Sequence, residues 1–143
     1  MAELCRGAMA ELGARERGGP LFVARDGRPE PVEEGLAQLV ADPGRVAVVG
    51  TLDEVIVGYA SGRVEDLRGG HRLGVIDELF VEEPARAVGV GEAMMELLLG
   101  WFRAEGCTGV DSTALPGARE TKNFFEGSGF SARLLVMHHR LKE

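Results

Sequence analysis

The sequence predicts an α+β domain built on a mixed, mostly antiparallel sheet. Two apolar runs, Arg45-Val-Ala-Val-Val-Gly-Thr and Val55-Ile-Val-Gly-Tyr-Ala-Ser-Gly-Arg-Val, read as antiparallel strands joined near Asp53. After them the pattern becomes strand, helix, strand, helix, strand, which makes the strands at 73–81 and 108–113 a parallel pair. At 143 residues the chain has room for one domain and one core.

The elements follow in order. Leu4, Ala8, Met9 and Leu12 share one face of a helix already under way near Met1 and ending around Gly13. Gly18-Gly19-Pro20 and Asp26-Gly27 flank only a short apolar patch, Leu21-Phe22-Val23, so Arg15 to Pro31 reads as a long loop. Val32 to Ala41 is a second helix, with Leu36, Leu39 and Val40 inward and Pro43-Gly44 as its stop. Arg68-Gly69-Gly70-His71 turns the chain into the strand Leu73 to Val81. The helix from Val90 to about Glu105 carries Ala93, Met94, Leu97, Leu98, Trp101 and Phe102 as a broad apolar stripe, and Gly106 ends it. Thr108 to Thr113 is a strand, Ala118 to Gly127 a short helix, and Phe130 to Leu141 a long final strand.

Composition narrows the function. Apolar residues at 45% and charged ones at 27% are ordinary globular values. No apolar run approaches the roughly 20 residues of a membrane helix, and the N-terminus lacks a signal pattern, so the expected location is the cytoplasm without a membrane partner. The net charge of −7 argues against nucleic acid, whose binding depends on Lys and Arg neutralising phosphates, and favours a cationic acceptor. Cys5 and Cys107 have neither metal spacing nor a secretory context, and both read as reduced thiols with no metal implied.

The stretch from Val75 to Leu99 carries the chemistry. An apolar strand leads through a Pro-containing loop into Arg86-x-x-Gly89-x-Gly91 and then a helix. Glycines at a helix start admit close backbone approach, and the first turn offers unpaired N–H groups and partial positive charge, which suits a diphosphate. A dinucleotide fingerprint would need a third glycine where Met94 stands, after a βαβ unit instead of an antiparallel hairpin. A Walker loop would need Gly-Lys-Ser/Thr, which is absent.

The strand Glu78-Leu-Phe-Val-x-x-Pro, the Arg86-Ala-Val-Gly-Val-Gly91 turn and the apolar helix resemble the acyl-CoA-binding motif of the GNAT acetyltransferases. Phe124-Phe125-Glu126-Gly-Ser-Gly129-Phe130 is similar to their next helix and strand start. The resemblance spans Arg45 to Glu143 and implies a GNAT-like sheet with helices on both faces, residues 45–143 holding the acyl-CoA site and residues 1–44 the acceptor side. It implies acetyl transfer from acetyl-CoA to a primary amine of a small molecule or protein. It also implies a pyrophosphate on the backbone amides of Val88, Gly89, Val90, Gly91, Glu92 and Ala93, aided by Arg86, and a pantetheine arm against the main chain of Leu79, Phe80 and Val81. Further contacts would come from Lys122, Asn123 and the Phe125 position.

For the base, Glu78 is favoured over Asp77. The two lie on opposite faces of the strand unless a bulge intervenes. A strand-end carboxylate that merely orders a neighbouring loop is the competing reading of Glu78. The family's usual tyrosine, which protonates the leaving thiolate, is replaced by Phe125, leaving Ser112 or Thr113 as substitute donors. Tyr59, the chain's only tyrosine, reads as core packing. The family's usual asparagine falls at Gly117 or Ala118, and Val88 stands where relatives are often basic. The family's first strand is not found before the helix at Met1, so one sheet edge is expected open and a homodimer through it becomes feasible. A non-catalytic acyl-CoA-binding or sensing domain is the alternative to an enzyme.

Overall fold

The computed structural model describes residues 1–115 and 119–142. Three helices come first: α1 (Ala2–Gly13), α2 (Gly19–Asp26) and α3 (Val32–Ala41). Then follow β1 (Arg45–Leu52), β2 (Val55–Asp66), β3 (Arg72–Val81), α4 (Val90–Ala104), β4 (Gly109–Asp111) and α5 (Arg119–Gly127). The sheet order is β1-β2-β3-β4, antiparallel except for the parallel pair β3–β4.

The sheet divides two cores. On one face Leu4 and Cys5 of α1 and Val32, Leu36 and Leu39 of α3 pack with Tyr59. On the other, Met95, Leu98 and Phe102 of α4 pack with Ala60, Ile76 and Phe125. The sheet is thinned to receive α4: a Cβ at Gly62 or Gly74 would stand 2.7 Å or 2.5 Å from the Phe102 ring. Those two glycines are therefore required by packing, while their φ angles are ordinary.

Four sequence expectations are corrected. The segment read as a loop from Arg15 to Pro31 contains α2, which opens on Gly18 in the left-handed region with Pro20 in its first turn. Its first residue, Gly19, lies so close to α1 that a Cβ would be 2.2 Å from the Leu12 carbonyl oxygen, so tertiary packing stabilises a helix too short to announce itself. On α4 the inward stripe is Val90, Met94, Met95, Leu98 and Phe102, while Ala93 and Leu97 face outward. Val40 of α3 is likewise exposed. Finally, β4 is only three residues long, and the segment after Phe130, expected as the last strand, lies outside the sheet. The predicted start of α5 at Ala118 falls outside the described residues.

Candidate active site

The sheet opens where the predicted cradle begins. On one side β3 is paired with β2 as far as Val81, opposite Gly58. On the other, pairing with β4 covers only Leu73, Gly74 and Val75, opposite Gly109, Val110 and Asp111. Past Val75 the two parallel strands separate, so the β4-facing main chain from Ile76 to Val81 has no strand partner among the described residues. An unpaired strand edge needs hydrogen-bonding partners, and an extended amide-containing ligand could supply them. The side chains there are already committed. Leu79 and Val81 pack toward α4, and Phe80 packs against the α1–α3 core.

Beyond Val81 the chain makes a turn of 3-10 helix, Glu83–Ala85, and reaches Arg86. The Arg86 guanidinium donates to the Val81 carbonyl oxygen at 2.8 Å and to the Glu11 carboxylate at 2.8 and 3.1 Å. It also stacks 5.5 Å from the Phe80 ring centroid. Arg86 thus braces the loop against β3 and α1. Ala87 and Gly89 then take left-handed backbone conformations, with φ of 67° and 89°. Such a conformation costs a non-glycine residue about 1–2 kcal/mol, so the strain at Ala87 is held by the surrounding turn.

The first backbone bond of α4 runs from the Ala93 amide to the Gly89 carbonyl at 3.0 Å. The Ala93 amide is therefore spent inside the helix, and the amides of Val90, Gly91 and Glu92 are the first-turn donors free of a bond among the described residues. A Cβ at Gly89 would meet nothing within 4 Å, whereas one at Gly91 would lie 3.1 Å from the Phe124 ring. The helix start is therefore open at Gly89 and at the exposed Val88, and closed at Gly91 by the Phe124 ring.

A bulge decides the carboxylates. In the β2–β3 ladder Gly62 faces Ile76 but Ser61 faces Glu78, leaving Asp77 as an extra residue on β3. The alternation shifts there by one residue. As a result, Glu78 points to the α1–α3 face although Ile76 points to α4, and Asp77 reaches Arg63 on the same face as Glu78.

Glu78 sits in a nearly buried polar cluster. Tyr59 donates its hydroxyl to Oε2 at 2.9 Å, Ser61 donates to Oε1 at 2.6 Å, and the Cys5 thiol lies 3.6 Å from Oε2. Arg28, between α2 and α3, forks onto both oxygens, with its Nε 3.3 Å from Oε2. Burial pushes the Glu78 carboxyl up, but the bonds from Arg28, Ser61 and Tyr59 outweigh it and hold the group below the usual carboxylate range. Burial and the neighbouring Glu78 charge raise the Tyr59 phenol, and burial raises the Cys5 thiol. This cluster is charged, hydrogen-bonded and fixed.

Arg28 is the residue of this cluster that the sequence reading missed. Its only local signal is a basic residue between Gly27 and Pro29, which nothing in a loop reading connects to Glu78 fifty positions away. The remaining predicted residues are dispersed. Ser112 lies half-buried just past β4, and Thr113 is exposed. Lys122 and Asn123 are on the outer side of α5, where Lys122 stands 3.7 Å from Glu126. Phe125 is a core residue, with ring centroids 5.6 Å from Phe124 and 5.2 Å from Phe130 in edge contacts. Gly117 and Ala118 lie outside the described residues.

Residues 14–130 match the sequence profile of the Acetyltransferase (GNAT) family. The chain belongs to this family. Solved structures agree on the GNAT fold. A tetramutant of the BH1408 protein from Bacillus halodurans superposes with a TM-score of 0.83 at 16% identity, covering 98% of this chain and 91% of that one. The aminoglycoside N-acetyltransferase AAC(6')-Iy, in complex with the bisubstrate analog CoA-S-monomethyl-acetylneamine, gives 0.70 at 16% identity, covering 85% and 86%. A transcriptional regulator from Bacillus halodurans C-125 gives 0.71 at 18% identity, covering 97% and 95%. No curated protein sequence matches the chain.

Proposed function

We propose that this GNAT protein is an N-acyltransferase that moves an acetyl group from acetyl-CoA to a primary amine of a small molecule or protein. The observation that carries the reading is the parting of β3 and β4 beyond Val75, which leads directly to the free amides at the start of α4. An extended pantetheine has amides for the open main chain of Leu79 and Phe80, and a pyrophosphate has charge for the amides of Val88 to Glu92. The Val81 carbonyl is already taken by Arg86. The CoA complexes of AAC(6')-Iy support the same use of the fold.

The chemistry follows from the cluster. An alkylamine with pKa about 10.4 is neutral in about one molecule in 2,500 at pH 7, a cost of about 4.6 kcal/mol before it can attack the thioester carbonyl. Glu78 is the carboxylate nearest this role, since Asp77 is committed to Arg63. Arg28 keeps Glu78 ionised and makes it a weak proton acceptor. In this reading Glu78 orients the acceptor side and bulk water takes the amine proton. The CoA thiolate then leaves without an acid from Phe125, at a cost of about 2 kcal/mol at neutral pH for a thiol of pKa about 8.5.

Thiol release from acetyl-CoA in the presence of a panel of primary amines tests the proposal. An active enzyme shows amine-dependent release, with kcat/KM for the amine rising about tenfold per pH unit below the amine's own pKa. The second reading, a non-catalytic acyl-CoA sensor, is favoured by the burial of Phe125 and the neutralisation of Glu78 by Arg28. It is the outcome if acetyl-CoA raises the melting temperature but no amine accelerates thiol release.

A further inference from the structure

The cluster around Glu78 presents a cation to an incoming acceptor, because its carboxylate is full and its guanidinium is not. Glu78 receives Arg28 through two nitrogens, the Tyr59 hydroxyl at 2.9 Å, the Ser61 hydroxyl at 2.6 Å and the Cys5 thiol at 3.6 Å. A carboxylate offers about four acceptor sites, so none is left for an ammonium. Arg28 has donors to spare. Its Nε and Nη2 are aimed at Glu78, whereas Nη1 makes no hydrogen bond among the described residues and keeps contact with solvent. An anionic oxygen completes a guanidinium nitrogen in that state, and a carboxylate matches its planar geometry.

The fold builds a slot for this side chain. Gly35 lies within α3, where glycine is less favourable than alanine. A Cβ there would stand 3.2 Å from Arg28 Nη1 and 3.5 Å from its Cγ and Cδ, so the bare backbone of Gly35 lets the side chain lie across α3. The loop that carries Arg28 is tied down on both sides of it. A Cβ at Gly27 would be 2.4 Å from the Val23 carbonyl oxygen, and Glu30 accepts from Arg6 of α1 at 2.9 and 3.0 Å. A cation held in this way loses little freedom when it binds a ligand. Glu78, which it grips, directly precedes Leu79, where the β4-facing main chain of β3 stands open.

We propose that the acceptor is an α-amino acid, and that Arg28 binds its carboxylate through Nη1 while Glu78 holds Nε and Nη2. The inference rests on the acyl-transfer reading and names its acceptor class. The short span between amine and carboxylate in such a molecule suits a cation that grips the residue next to the open main chain. An amino acid is a zwitterion near neutral pH, so the net charge of −7 that favours simple cations sets no barrier to it. In the transfer the ammonium gives one proton to water before attack and a second as the amide forms. The nitrogen bonds the acetyl carbonyl carbon, the C–S bond breaks, and the departing thiolate takes up one of the two protons. The products are an N-acetyl amino acid, the CoA thiol and one proton.

The test is thiol release from acetyl-CoA by the full chain with each protein amino acid, its primary amide, and the amine left when the α-carboxylate is removed. The expected result is an amino acid whose kcat/KM exceeds those of its amide and its decarboxylated amine by about 10–150-fold, the worth of a hydrogen bond to a charged group. In Gly35→Ala, a better helix former, the methyl crowds Nη1 and this preference falls at least about threefold. Arg28→Lys keeps the charge but loses the fork, and brings the preference close to one. The circular dichroism melt of each variant reports that its body is folded, and Gly35→Ala carries the test where Arg28→Lys does not fold. A purely structural Arg28 would lower every acceptor alike and leave the preference unchanged, which overturns the proposal. Amides or decarboxylated amines turned over as fast as the amino acids overturn it too, and leave acyl transfer standing. Thiol release that no amine accelerates, with acetyl-CoA still raising Tm, overturns the acyl-transfer reading and this inference with it.

Discussion

Replacing Arg28 by alanine removes the partner of a carboxylate that the fold cannot easily give back to water. The Arg28 and Glu78 side chains are only 11% and 19% exposed, and Arg28 forks onto both carboxylate oxygens. Breaking one side of a buried pair costs about 3–5 kcal/mol. Tyr59 and Ser61 continue to donate to Glu78, which brings the expected loss to about 2–3 kcal/mol. For 143 residues the unfolding entropy is about 0.3 kcal/mol per degree, so Tm falls by about 7–10 °C.

The pH dependence gives the effect a signature. In the wild type the folded Glu78 carboxyl lies below its ordinary value of 4.5, so its stabilising contribution is complete above that pH and is lost as pH falls through the folded pKa. In Arg28→Ala burial is opposed by fewer donors, and Glu78 takes up a proton at a higher pH. The gap between variant and wild type therefore narrows as pH is lowered from 7.5 to 4.5. Urea unfolding at several pH values, with Glu78→Gln and the double variant completing a cycle, measures the coupling. A loss under about 1 kcal/mol at pH 7.5, or one that does not change with pH, would refute the claim that this pair ties the Arg28 loop to the sheet.

Three further outcomes are expected. Gly89→Ala, at φ 89° with open space beyond, costs about 1 kcal/mol of stability and weakens acetyl-CoA binding at least about tenfold by calorimetry, since the new methyl stands where the anion approaches. Equal affinity would show that no ligand contacts that turn. Gly74→Ala drives a methyl into the Phe102 ring and destabilises by about 2–3 kcal/mol in urea, and Phe102→Leu in the same chain recovers part of the loss. Phe125→Tyr restores the family's usual hydroxyl, and kcat for acetyl transfer rises by up to about 30-fold if proton delivery to the thiolate limits turnover, the equivalent of the 2 kcal/mol leaving-group cost. An unchanged kcat at every pH would show that the thiolate leaves unaided.

The cradle was readable because its signals are local. A strand, a turn with two glycines and an amphipathic helix occupy consecutive residues, and the free amides of α4 follow from the start of any helix. The carboxylate assignment was readable only as a choice between Asp77 and Glu78. A one-residue bulge opposite Ser61 and Gly62 reverses the alternation, and nothing in the local sequence reports which pair of opposed residues slips. The final strand expected over Phe130 to Leu141 is not formed among the described residues, because an apolar run describes what a segment can bury and says nothing about what will cover it. The same limit hid α2, whose eight residues are stabilised by contact with α1.

By itself the sequence determined the antiparallel hairpin, the parallel pair and the glycine-bearing helix start, because hydrophobic period and backbone freedom are properties of neighbouring residues. The tertiary structure alone decided that Arg86 braces the loop and that Ala93 spends its amide inside the helix. It also decided that Arg28 holds Glu78, and that residues 131–142 lie outside the sheet formed by the described residues. Each of these depends on groups far apart in the chain meeting at bond distance, which no periodicity encodes.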